Sequence, residues 1–133
     1  MSATTAGSPS RFAEEADTFV EIMRELAPGI RLDYTASSVG LLEQFIAQHF
    51  DPPGSKYVGE SLPVGAGCYL GEVVIRTIGG RWNREGKPEI NNIGPIQAIF
   101  PIQRAVERFR SGPAESLVLY LQTVAHHAQQ GQR

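Results

Sequence analysis

Apolar residues along this chain recur first at helical spacing, then in short alternating runs, then at helical spacing again. Phe12, Ala16, Phe19, Met23 and Leu26 lie three or four positions apart, which predicts an amphipathic helix. Glu14 and Glu15 sit near the positive end of its dipole, and Pro28-Gly29 stops it. Ile30 to Tyr34 alternates loosely and leaves a short strand and an extended connector both open. Thr35 can cap a second helix that carries Val39, Leu42, Phe45, Ile46 and His49 inward, ended by Asp51-Pro52-Pro53-Gly54. After a loop over Lys56 to Glu60, Ser61 and Pro63 can start a third helix that runs through Ile78 and closes at Gly79-Gly80. Its apolar residues, Val64, Ala66, Leu70, Val73, Val74 and Ile78, wrap all sides, so it belongs at the centre of the fold.

Beyond Gly80 the helical period stops. Arg81 to Arg84 and Pro88 to Ile93 flank a turn at Glu85-Gly86-Lys87, the pattern of a β-hairpin, and Ile96 to Phe100 offers a third strand. Pro101 opens a fourth helix with Ile102, Ala105, Val106 and Phe109 inward; Gly112 breaks it, and Pro113 starts a last helix through Leu117, Tyr120, Leu121 and Val124. The expected fold is therefore α+β, about five helices with a small antiparallel sheet (a hairpin or three strands) inserted between the third and fourth. Residues 1–9 are small and polar and read as a disordered tail, residues 10–128 as a single domain, and residues 129–133 as a fraying end.

Length and composition agree with one domain. The 133 residues, 41% hydrophobic and 20% charged, suffice for one core, and a net charge of −2 gives no general attraction to nucleic acid or to an acidic membrane. Cys68 is the one cysteine, which excludes an internal disulfide and a multi-thiolate metal site. The start of the chain lacks a basic segment leading into an apolar run, and no later apolar stretch is long enough to span a bilayer. Together these predict a cytoplasmic protein that binds neither nucleic acid nor membrane.

Candidate chemistry is sparse. Gly65-Ala66-Gly67-Cys68-Tyr69-Leu70-Gly71 has glycine spacing like that of phosphate-cradling loops, but a Pro-containing loop precedes it and no βαβ pattern follows. The reading that fits is a smooth helix face, with Gly67 and Gly71 four apart for close backbone packing. Cys68 would need a neighbour that lowers its thiol pKa, and His49, His126 and His127 form no signature with it. His126 and His127 are adjacent and diverge on a helix, so they do not make a metal pair. Glu72 precedes Arg76 by four residues in the favourable order for an ion pair; with Glu60 or Asp51 it would instead form an acidic patch. Trp82 suits the core or an exposed anchor, and Arg104, Arg108 and Arg110, interleaved with Glu107, read as a solvated helix face. No catalytic residue, metal site or cofactor is predicted.

Gly67-x-Tyr69-Leu70-Gly71-Glu72-Val73, then Gly79-Gly80-Arg81-Trp82, then Phe100-Pro101-x-x-Arg104 and Arg108-x-x-x-Gly112 before a final helix resembles the pattern of a small bacterial family of domains of unknown function, over roughly residues 30–125. The resemblance implies an α+β fold, a helix leading into a small sheet and two closing helices. It brings no catalytic residues; the settings of some relatives imply toxin immunity or other protein binding.

The sequence thus points to a non-catalytic module that binds another protein, immunity-like or adaptor, of undetermined oligomeric state. The expected surface joins residues 56–60 to residues 81–87, with Tyr57, Glu60, Glu72, Trp82 and Arg84 as binding residues, because aromatic and arginine side chains dominate interface hot spots. The outward faces of the last two helices are the other location. The rival reading is a small-ligand protein or enzyme with a pocket near Tyr57, Glu60, Tyr69, Glu72 and Trp82.

Overall fold

Local signals start the first four helices where the sequence predicts. In the computed structural model, which describes residues 10–52 and 59–130, Ser10 caps α1 (Arg11–Leu26) by accepting from the Ala13 N–H at 3.0 Å. Thr35 does the same for α2 (Ala36–Phe50) by accepting from the Ser38 N–H. The segment between them is an extended connector, not a strand. The predicted tail over residues 1–9, the loop residues 53–58 with Tyr57, and residues 131–133 lie outside the described residues.

The third helix, α3 (Ser61–Thr77), is buried from Leu62 to Val74 apart from Val64. It packs on α1 and on α4 (Pro101–Ser111) and forms the centre of the molecule. Two of its glycines make that possible. A Cβ on Gly67 would collide with the Ile102 backbone of α4, and one on Gly71 would run into the Trp82 ring. The smooth face inferred from the sequence therefore serves two partners, a helix backbone and an indole.

Three short antiparallel strands follow, β1 (Arg81–Trp82), β2 (Ile90–Ile93) and β3 (Ile96–Ile99), in the order β1-β2-β3. The register places Trp82 opposite Ile90 and Ile90 opposite Ile99, a row of three apolar residues on the inner face. Strand alternation then puts Arg81, Asn91 and Ala98 in line on the outer face. The Trp82 ring lies 4.7 Å from that of Phe12, which joins sheet to α1.

The last helix, α5 (Leu117–Gln129), runs beside β3: Tyr120 accepts the Phe100 N–H at 3.1 Å, and the other end of the helix reaches Gly94, where a Cβ would meet the Ala128 carbonyl. The described residues share one apolar cluster drawn from α1, α2, α3, the sheet, α4 and α5. This is the α+β arrangement expected from the sequence.

Four details differ from expectation. Leu26 ends α1 exposed, because the helix stops at its last predicted turn and the connector leaves that side uncovered. His49 is exposed on α2, its ring tilted against Phe45 at 4.6 Å between ring centres. The first strand ends at Trp82, because the Asn83 side chain diverts the chain into a turn by accepting the Glu85 N–H at 2.8 Å. Pro113 opens a single 3₁₀ turn, Pro113–Glu115, and α5 begins one residue after Ser116, whose hydroxyl accepts the Leu119 N–H.

Gly71→Leu is expected to lower stability by about 1–3 kcal/mol or more, since the new side chain overpacks against Trp82. Thermal melting followed by circular dichroism reads this, and an unchanged midpoint would mean that α3 and β1 do not meet at this glycine.

Candidate functional site

The polar side chains that sequence reading singles out fall into two groups, those that hold elements together and those left on the surface. Glu72 is 6% exposed, and a carboxylate so placed requires partners for both oxygens. The Trp82 indole N–H donates to Oε2 at 2.8 Å, and Arg76 donates to Oε1 from Nε at 3.1 Å, with its Nη2 in ion-pair contact with the same oxygen at 3.0 Å. The predicted Glu72–Arg76 pair is therefore present, and Trp82 joins it from β1. The Arg76 guanidinium also covers the Tyr34 ring at 3.6 Å.

Tyr34 has a left-handed backbone, φ 65°, a conformation that non-glycine residues hold only when their surroundings fix it. Its ring stacks on Tyr69 at 4.8 Å, its hydroxyl donates to Asp17 Oδ1 at 2.5 Å, and its N–H donates to the Tyr69 hydroxyl at 2.9 Å. Burial, reinforced by the Asp17 carboxylate, holds the Tyr34 phenol well above its ordinary pKa. Tyr69 is fully buried on α3. Ser38 gives its proton to the Thr35 carbonyl at 2.7 Å, so the 2.5 Å contact between Ser38 and Tyr69 has the tyrosine as donor. Burial raises the Tyr69 phenol pKa as well. Tyr34, Tyr69, Glu72, Arg76 and Trp82 thus form one continuous latch joining α1, the connector, α2, α3 and β1.

A second buried assembly was not legible in the sequence. Arg108, read there as part of a solvated face, is 1% exposed. Its Nε donates to Glu43 Oε2 at 2.5 Å, and Nη1 and Nη2 donate to Asp51 at 2.7 and 2.8 Å. Glu43 Oε1 also accepts from the Ser116 hydroxyl at 3.1 Å and the Val118 N–H at 2.9 Å. One arginine on α4 therefore fixes the body and end of α2 and, through Glu43, the start of α5. The correction arises because α2, distant in sequence, supplies both carboxylates. Hydrogen bonding to Arg108 holds the Asp51 carboxyl below the usual range.

Cys68 and the histidines carry no visible chemistry. Burial pushes the Cys68 thiol up to about 12, the reverse of what a nucleophile needs. Among the described residues, no group of three or more His, Cys, Asp or Glu side chains could hold a metal ion. No helix among them is long and apolar enough to cross a membrane.

One outward cluster of polar side chains sits on the sheet. Arg81, Asn83, Arg84, Glu85, Asn91, Asn92 and Gln97 line an open depression of about 500 Å3. Its floor is ordered by side-chain amides. Asn83 Nδ2 donates to Glu89 Oε2 at 3.1 Å and to Asn91 Oδ1 at 3.0 Å, and Asn91 Nδ2 donates to the same Glu89 oxygen at 2.9 Å and to the Gln97 carbonyl at 3.2 Å. Asn83 Oδ1 in turn accepts the Glu85 and Lys87 N–H groups, shaping the turn. Arg81, Arg84, Asn92 and Gln97 are exposed around this floor.

Of the residues predicted for binding, Arg84 is on this face and exposed, Glu60 is exposed at the start of α3, Glu72 and Trp82 are buried against each other, and Tyr57 lies outside the described residues. Asn83, Asn91, Asn92 and Gln97 were not singled out by sequence reading; the run of amides around residues 91–92, in a stretch flanked by isoleucines, was the available signal. A second depression, about 430 Å3, lies between the end of α1 and the connector, beside Met23, Ile30 and Leu32. Comparisons of the chain with protein-family models, with curated proteins and with solved structures find no match.

Arg108→Ala is expected to cost about 3 kcal/mol, because it strands two carboxylates at a largely buried position. Denaturant melts at neutral pH measure it, and a loss well under 1 kcal/mol would assign the cluster no role in holding α2 to α4. The pH dependence follows from Asp51. Its folded-state pKa lies below the unfolded value, so its contribution is present above about pH 4 and is lost as pH falls through the lowered value. The stability gap between wild type and Asp51→Asn is therefore expected to be widest near neutrality and to shrink in acid.

Proposed function

We propose that this chain is a non-catalytic protein-binding module whose contact surface is the outward face of the three-stranded sheet. One observation carries the reading: the buried polar side chains Ser38, Glu72 and Arg108 are occupied in the latch and the Arg108 cluster, whereas the sheet face presents exposed arginines and amides on a floor already ordered by its own hydrogen bonds. A surface fixed before contact loses little side-chain entropy on association. Its shallow form suits a partner's surface better than an engulfed small molecule. The likeness of the Gly67–Val73 and Gly79–Trp82 segments to a bacterial family with members in immunity-like settings supports the same reading. An immunity or adaptor role within the cytoplasm is the finer form of this proposal.

Site-specific photocrosslinking tests it. A crosslinking residue at Asn92 or Gln97 is expected to capture a discrete protein in cell extract that the same residue at exposed Gln48 on α2 does not. Arg84→Glu is expected to abolish that capture while leaving the circular dichroism spectrum intact. Equal capture from Gln48, or capture unaffected by Arg84→Glu, would move the interface away from the sheet, with the outward faces of α4 and α5 next in line.

A further inference from the structure

Building on the protein-binding reading, we infer that the sheet face accepts a carboxylate-bearing segment of its partner, with Arg81 and Arg84 as the charged contacts and the surrounding amides as hydrogen-bonding groups. The charge balance of the surface is the first ground. Arg24, Arg76, Arg104 and Arg108 each have a carboxylate of this chain within ion-pair distance. Arg81 and Arg84 have none among the described residues, as is also true of Arg11, Arg31 and Arg110, but Arg81 and Arg84 alone of these line one depression together, in a chain whose net charge of −2 leaves acidic groups in excess. The lining of the depression holds these two arginines against one carboxylate, Glu85. Glu89, beside it, is engaged by the Asn83 and Asn91 amides.

The second ground is the kind of polar group present. Every other lining residue is an asparagine or glutamine, and no aromatic or aliphatic side chain takes part. An apolar helix would find nothing to bury there. A nucleic acid strand would find two cations and no ring on which to stack a base. Side-chain amides donate to and accept from a peptide backbone, and guanidinium groups pair with carboxylates in a planar fork. An acidic peptide meets both requirements.

Three labelled probes added to the full chain decide the matter: an alternating Glu-Thr peptide, its Lys-Thr counterpart, and an oligothymidine of matched length. Fluorescence anisotropy at low salt is expected to show binding of the Glu-Thr peptide alone. The double substitution Arg81→Glu, Arg84→Glu is expected to weaken that binding by about tenfold or more, as loss of two exposed charge pairs would. Amide signals of residues 81–84, 91–92 and 97 are expected to shift on titration. Preference for the Lys-Thr peptide or the oligothymidine, signal shifts centred on Arg11, Arg31 or Arg110, or indifference to the double substitution would each overturn the assignment. Should the acidic probe fail while crosslinking at Asn92 and Gln97 still captures a protein, the binding module stands and the acidic chemistry falls; failure of both removes the surface itself.

Discussion

The packing of Trp82 over Gly71 is the constraint on which most of this structure depends. An indole occupies the space where α3 lacks a side chain, and its N–H ends on Glu72 one residue further along the same helix. That contact places β1 against the central helix, and the register carries the placement through Ile90 to Ile99, so the inner face of the whole sheet is set by one ring. It also makes a buried glutamate tolerable. Without the indole and Arg76, Glu72 would be an uncompensated charge in the core; with them, both oxygens are filled and the helix carries a polar anchor. Arg76 extends the same network to Tyr34, whose left-handed backbone is held by a stacked ring, a hydroxyl and a hydrogen-bonded amide.

Arg108 plays the corresponding part at the other end of the molecule. A short 3₁₀ turn separates α4 from α5 and contributes no fully buried residue, so the orientation of the closing helices rests on Glu43, which receives Arg108 on one oxygen and the start of α5 on the other. Buried charge is expensive, and an apolar group of similar size can be as stabilising. What the ionic version adds here is direction: a planar guanidinium can meet Asp51 in two-point contact and Glu43 with its remaining face only when α2 and α4 stand in one relation.

These two assemblies account for the shape of the proposed surface. Rigid elements on the inner side leave the sheet's outer side free of structural duty, and the amide floor there is ordered without help from helices. The glycine-tyrosine-glutamate and tryptophan motifs that attract attention in the sequence are, in the fold, fasteners rather than contact residues. The depression on the outer side is lined by asparagine, glutamine and arginine with Glu85, and of these the linear reading singled out Arg84 alone as a binding residue.

The sequence by itself determined the helices apart from the start of the last one, the Thr35 cap, the central position of α3, the sheet between the third and fourth helices, and the Glu72–Arg76 pair. These follow from periodicity, turn chemistry and spacing within about a turn of chain, all of which are local. Tertiary structure alone decided the burial of Arg108, the partnership of Trp82 with Glu72, the exposure of Leu26 and His49, and the gathering of Arg81, Asn83, Arg84, Asn91, Asn92 and Gln97 around one depression. A helical arginine flanked by charged neighbours has the same local pattern whether it faces water or two carboxylates, and Glu43 and Asp51 reach Arg108 from 65 and 57 positions away. Strand register is likewise a long-range choice, since a slip of one residue would have set Trp82 opposite Asn91 and put indole and amide on one face; the fit of the indole over Gly71 and the burial of Ile90 oppose it.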